Sequence, residues 1–170
     1  RLIGQAITAS TFDTEQILSN TMEMIQSVLP VEAGYLMMPQ DDELTYAASF
    51  RLDMQKLKTM KLPKGSGVAG HVFESGVSLV VNSEQEYPNF LPDMEYELGF
   101  NPRTMLCVPI ISQGKVNGVI SVLNKTEGAF NEADEKMLQT IATFVGTALE
   151  NSQRYRDALT GTDKTPLLDI

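Results

Sequence analysis

Two apolar runs, residues 104–111 and 115–123, face each other across a short break containing Gln113-Gly114. Alternating β-forming segments joined by so few residues read as a β-hairpin, with Gly114 accepting the tight turn. An isolated hairpin has too little apolar burial to hold itself. Long amphipathic segments at the two ends of the chain supply a partner. From Asp13 to Leu29, Leu18, Met22, Ile25 and Leu29 recur at helical spacing, with Thr11 or Asp13 as cap and Pro30 as stop. From Glu132 to Arg156, Met137, Ile141, Val145, Ala148 and Leu149 share one face. Asn131 caps this second helix, and Asp134 stands in the capping-box position.

Residues 33–39 and 43–50 form a further hairpin about Gln40, Asp41 and Asp42. Strict alternation puts Leu44, Tyr46, Ala48 and Phe50 on one side, and Thr45, Ala47 and Ser49 on the other. Residues 53–60 are weakly helical, and residues 77–82 form a strand. The cluster Gly65-Ser66-Gly67-Val68-Ala69-Gly70 leads into a short helix that stops at Gly76. Residues 83–102 are acidic, contain three prolines and read as a loop with one helical turn or two. The expected fold class is α+β. A central, mostly antiparallel sheet of five to six strands carries the N- and C-terminal helices on one face. Short helices and loops form a pocket on the other. Residues 1–12 read as a linker or helix extension, 13–150 as the domain, and 151–170 as a helix end and linker.

The formal net charge is −9 and the basic residues do not cluster, so a phosphate backbone is repelled and no nucleic acid is expected. No apolar run approaches the ~20 residues of a membrane span, and no leader is visible. Direct membrane insertion is therefore not expected, and a cytoplasmic location is. The single cysteine, Cys107, lies in a β run and reads as a buried, inert thiol. One histidine, His71, reads as a surface or loop residue and is too few for a triad or a structural zinc site. Gly65-x-Gly67-x-x-Gly70 has dinucleotide-fingerprint spacing, but Lys61-Leu62-Pro63-Lys64 precedes it in place of a buried parallel strand. The glycines read instead as a tight entry into a helix whose N–H groups point at a cavity. No catalysis and no cofactor are expected.

Four ordered segments carry a resemblance. They are Leu62-Pro63-x-Gly65-x-Gly67-Val68-Ala69-Gly70-His71-Val72; Gly99-Phe100-x-x-Arg103-x-x-Leu106-Cys107-Val108-Pro109-Ile110; Gly118-Val119-Ile120-x-Val122; and Asn124-Lys125, Phe130, Asp134-Glu135. Together they resemble the GAF domain, and in particular the regulatory GAF domains of cyclic-nucleotide phosphodiesterases and bacterial signalling proteins. The resemblance implies a small-molecule sensory domain of a larger signalling protein that relays ligand state through its terminal helices. It implies alternatives too: a ligand-free dimerisation and relay module, or a domain binding cyclic AMP or cyclic GMP. By alignment with nucleotide-binding members, Leu98 and Pro102 stand where threonine is usual, while Glu95 keeps an acid. Bilin-binding members need a cysteine on a pocket helix or loop, and the free methionine sulfoxide reductases of this fold need more than one.

The implied pocket lies between the sheet and segments 65–73 and 86–102, lined by Tyr35, Phe50, Val68, Ala69, Phe90, Leu91, Glu95 and Leu98. Its occupant is an unknown small molecule. The signature Asn124, Lys125, Phe130 and Asp134 reads as a structural lock: Lys125 ends a strand, Asp134 opens a helix, and Phe130 plugs the gap. Apolar stripes on both terminal helices imply a homodimer through a four-helix bundle. Asp157-Ala158-Leu159-Thr160-Gly161 resembles the opening of a diguanylate cyclase domain, although Lys164-Thr165-Pro166 replaces the expected continuation.

Overall fold

The computed structural model describes the backbone of residues 2–88 and 90–161, and side chains from Thr14 onward. In chain order the elements are α1 (Leu2–Val28), β1 (Val31–Gln40), β2 (Glu43–Phe50), α2 (Met54–Leu57), β3 (Lys61–Pro63), α3 (Gly67–Ser75), β4 (Leu79–Val81), α4 (Glu95–Leu98), β5 (Met105–Ser112), β6 (Lys115–Lys125) and α5 (Glu132–Thr160). The strands form one six-stranded sheet in the order β3-β2-β1-β6-β5-β4. Every neighbouring pair is antiparallel. The β5–β6 turn has Gln113 at φ 53 and Gly114 at φ 73. Two consecutive positive φ values match the right-handed twist of the strands they join.

The period-two pattern sorts the core into two layers. Leu106, Val108 and Ile110 of β5, with Leu36, Ile120 and Val122, face Met22, Ile25 and Leu29 of α1 and Leu138, Ile141, Ala142 and Val145 of α5. Met105 and Cys107 of β5, with Ala33, Tyr35, Met37, Val119 and Leu123, face the other way. There they meet Leu57 of α2, Val68, Ala69 and Val72 of α3, and Met94 just before α4. The terminal helices thus cover one face, and the short helices and loops cover the other. Among the described residues, no helix is long and apolar enough to cross a membrane.

Several elements differ from the sequence reading. The first helix is continuous from Leu2, so the stretch before Asp13 extends it. The last helix runs four residues past Arg156 to Thr160, where Gly161 at φ 79 caps it. Residues 157–160 are therefore helical and not linker, and residues 162–170 lie outside the description. Met137 is 42% exposed, and Leu138 takes the buried place expected for it. β3 is an edge strand of three residues that its lysine and proline concealed.

The largest correction is in β2. Leu36 pairs with Ala48 but Met37 pairs with Tyr46, so Ala47 is an extra residue in the strand. This bulge breaks the expected alternation. Leu44 and Tyr46 stay with the α3 side, whereas Ala48 and Phe50 cross to the α1–α5 side. Phe50 then lies flat against β1 at Gly34, where an added Cβ would collide with its ring and approach the Ser121 carbonyl oxygen at 3.1 Å. We expect Gly34→Ala to destabilise the protein by about 1–3 kcal/mol through overpacking. Adding Phe50→Leu should recover part of that loss, and urea denaturation of the two variants measures it.

Candidate functional site

The segment between β6 and α5 is held by a continuous set of polar contacts. Asn124 is 1% exposed and sits at φ 59, a left-handed conformation that asparagine tolerates better than most residues. Its Oδ1 accepts from the backbone N–H groups of Arg103 (2.7 Å) and Thr104 (3.1 Å). Its Nδ2 donates to the Asn101 carbonyl (2.9 Å) and to Glu32 Oε2 (3.2 Å). The amide thus makes four contacts and fastens the end of the 83–102 segment to the sheet.

Lys125 Nζ donates to Asp134 Oδ2 at 2.7 Å and to the Ala129 carbonyl at 3.1 Å. The same Asp134 oxygen accepts the N–H of Asn131 at 2.9 Å, while Asn131 Oδ1 accepts the N–H of Asp134 at 3.0 Å. One carboxylate therefore completes both an ion pair and a capping box. Both charged side chains are only 11% exposed, so solvent screens the pair far less than a surface one. Phe130 is buried in the helix-side core. Its N–H and carbonyl are both bonded by the side chain of Asn82, at 2.8 and 3.1 Å. Asn82 follows β4, so it ties the far edge of the sheet to the same loop. The sequence reading missed it; its only signal was an asparagine closing the Val80-Val81 run.

On the opposite face, Tyr35, Val68 and Ala69 are buried together, and Phe90, Leu91 and Leu98 pack against the same cluster. Two expected lining residues are not with them. Phe50 is on the other side of the sheet because of the bulge, and Glu95, the first residue of α4, is exposed. Tyr46 and Met94 join the cluster instead. Tyr46 meets Tyr35 edge-on at 5.0 Å between ring centroids, and Met94 is fully buried.

One donor at the N-terminus of α3 is already engaged. The N–H of Val68 donates to the Phe90 carbonyl at 3.1 Å, so this donor points at a loop and not at a cavity. A Cβ on Gly67, which sits at φ +65, would lie 3.3 Å from that carbonyl oxygen; one on Gly70 would lie 2.8 Å from the Gly65 backbone. The glycines serve close backbone approach. His71 is exposed on α3 and lies 5.9 Å from the Phe90 ring, which stacks on Tyr87 at 5.8 Å.

A short polar row crosses the floor of this face. Cys107 pairs with Ser121 across β5–β6, and Ser121 pairs with Tyr35 across β6–β1. Ser121 Oγ donates to Cys107 Sγ at 3.3 Å. Burial pushes the Cys107 thiol from 9.0 up to about 12, against a smaller opposing effect of that hydrogen bond. Burial likewise raises the Tyr46 phenol to about 12. Tyr35 rises well above 10.0 through burial, then through the charges of Tyr46 and Cys107. All three are neutral near neutral pH, and a protonated thiol is a poor nucleophile and metal ligand. Among the described residues, no three His, Cys, Asp or Glu side chains are grouped to hold a metal ion.

The ion pair admits a direct test. Lys125→Ala leaves a mostly buried carboxylate unpaired and should cost about 2–3 kcal/mol. Asp134→Ala also removes the acceptor of the Asn131 N–H, the reciprocal half of the capping box, adding about 1 kcal/mol. The double variant should be less destabilised than the sum of the two, a coupling that a urea-denaturation cycle measures. Strict additivity would show that the two side chains act separately.

The chain was compared with known proteins. The sequence model of the GAF domain family matches residues 13–149. A probable 3',5'-cyclic phosphodiesterase, pde-5, of Caenorhabditis elegans is 30% identical over 105 residues, 62% of this chain and 14% of that protein. The chain therefore spans a small part of this curated relative. Among solved structures, the GAF domain of a phosphoenolpyruvate-protein phosphotransferase from Coxiella burnetii superposes with a TM-score of 0.72 at 21% identity, covering 89% of this chain and 94% of that one. Free methionine-R-sulfoxide reductase from Neisseria meningitidis gives 0.67 at 20% identity, covering 89% and 88%. At those identities the likeness is one of fold. The family match over most of the length, with the two-faced antiparallel sheet and the Asn124–Asp134 arrangement, makes this chain a member of the GAF domain family.

Proposed function

We propose that this chain is a non-catalytic, cytoplasmic sensory domain of a larger signalling protein. A small molecule bound beneath the 83–102 segment would be reported through α1 and α5. The observation that carries this reading is the unequal cover of the sheet. One face is gripped by two long helices; the other is covered by the short helices α2 and α3 and closed by the 83–102 segment, whose described residues hold one helix, α4, of four residues. Irregular backbone with little hydrogen bonding of its own opens at lower cost than regular structure. The floor beneath it offers apolar side chains with the neutral hydroxyls of Tyr35 and Ser121 as handles, the composition of a small-molecule site. The buried, protonated Cys107 supports the absence of thiol chemistry.

Ligand binding would shift the population toward one setting of the 83–102 segment. Because β1, β5 and β6 form the floor of both layers, such a change bears on the helices behind them. A thermal-shift screen of metabolites that includes cyclic AMP and cyclic GMP, followed by native mass spectrometry, tests this. A true ligand at a hundredfold excess over its Kd should raise Tm by about 5 °C or more. No shift and no bound mass across the screen would overturn the sensory reading. A response confined to the cyclic nucleotides would establish that narrower alternative, which the phosphodiesterase relative favours.

A specific observation also favours dimerisation. Met137, Phe144 and Tyr155 of α5 are 42%, 67% and 45% exposed. With Ala148 they stand at intervals of seven, four and seven residues, a spacing that keeps them on one face of the helix. On α1, Met24 and Val28 are exposed one turn apart. Paired about a two-fold axis, these stripes would bury each other in a four-helix bundle. Light scattering at tens of micromolar should give a dimer, and Phe144→Glu should give a monomer with an unchanged far-UV spectrum. A monomeric parent chain would sink this reading.

A further inference from the structure

A concavity lies on the helix side of the sheet, among elements that the sensory reading does not use for binding. It is an open groove of about 490 Å3 between α5, Thr14 of α1, the end of β1 and the β5–β6 turn. That volume lies within the roughly 300–1,000 Å3 of small-molecule sites. Its shape follows from Gly146. There α5 comes so close to the sheet that an added Cβ would sit 3.0 Å from the Ile111 carbonyl oxygen. The turns of α5 that follow, from Leu149 to Arg156, form the groove's helical wall.

The groove is lined by two kinds of surface. Met38, Pro39, Ile110 and Leu149 supply apolar side chains. Among the described residues, the charged lining residues are Lys115, Arg154 and Arg156, against one acid, Glu150. In a chain with 13 basic residues and a net charge of −9, this local excess of positive charge runs against the whole. Arg156 is engaged by Thr14 and Ser152. The side chains of Lys115 and Arg154 are exposed and have no ion-pair partner among the described residues.

We propose that this groove binds a small organic anion with an apolar body, of which a medium-chain carboxylate is the simplest form. The carboxylate would be met by Lys115 and Arg154, and the hydrocarbon would lie on Met38, Pro39, Ile110 and Leu149. Charge complementarity selects the head, because a neutral head leaves both cations as they are. Apolar burial supplies the rest. An occupant placed there would brace α5 against the β5–β6 turn, beside the stem formed with α1.

Calorimetric titration of decanoate into the 170-residue chain at low ionic strength tests the proposal. The expected result is saturable binding at one site. Lys115→Gln with Arg154→Gln should weaken it about tenfold or more, the loss of a charge-assisted contact. Lys58→Gln with Lys136→Gln removes the same charge elsewhere and should leave it unchanged. Decanol, with the same chain and no charge, should bind at least about tenfold more weakly. All four substituted residues are exposed, so the variants should melt with the parent chain. Equal affinity in the two double variants, decanol matching decanoate, or uptake without saturation would each overturn the proposal. So would an acidic peptide or anionic phosphatidylserine vesicles binding through Lys115 and Arg154 where decanoate does not.

Discussion

Because β1, β5 and β6 are buried on both sides, nothing that touches one of their faces is insulated from the other. Their alternate residues belong to two different cores: Leu106, Val108 and Ile110 to the helices, Met105 and Cys107 to the loop-covered side. Close packing leaves such strands little room to shift one row of side chains without the other. The fold thus places two separately built surfaces on one shared floor. This constraint explains why polar groups on that floor are so few and so thoroughly neutralised, as in the row Cys107, Ser121 and Tyr35.

The two ends of the floor are tied by side chains acting as backbone partners. Asn124 bonds three successive parts of the 101–104 turn, and Asn82 bonds both backbone groups of Phe130. Buried donors and acceptors left unpaired would cost about 1–3 kcal/mol each. These amides therefore matter more to the path of the chain than the exposed pair Arg103–Glu32, whose side chains are 58% and 42% exposed. Among the described residues, Lys125 and Asp134 add the one well-shielded charge pair, and its geometry joins sheet to helix.

Much of this was legible in the sequence where local chemistry decides conformation. The Gln113-Gly114 turn, the Gly76 stop and the Asn131–Asp134 cap each depend on residues close together in the chain. So does the Lys125–Asp134 pair. The layers were legible as well, because period-two and helical spacing survive in β5, β6 and the terminal helices. What escaped depends on register between distant segments. Ala47 is a small residue in an unbroken alternation, and only its pairing with β1 reveals it as a bulge. Phe50 was therefore assigned to the wrong face. Likewise, Leu138 and not Met137 is buried because the orientation of α5 is set by its whole length against the sheet. Glu95 was expected to face inward, yet Met94 beside it takes that place.

The length of α5 has its own consequence. At 29 residues it extends about 43 Å, and it continues for about four turns beyond its close approach to the sheet at Gly146. A rod of that kind transmits angle as well as position. Each residue advances the helix by about 100°, so any element rigidly continuous with Thr160 inherits an azimuth fixed by the Lys125–Asp134 anchor at the other end. Adding or removing one residue at the end of the helix would turn that element by more than a quarter of a circle while leaving the packing of α5 on the sheet in place. The domain therefore dictates a direction in space, with the anchor as its zero.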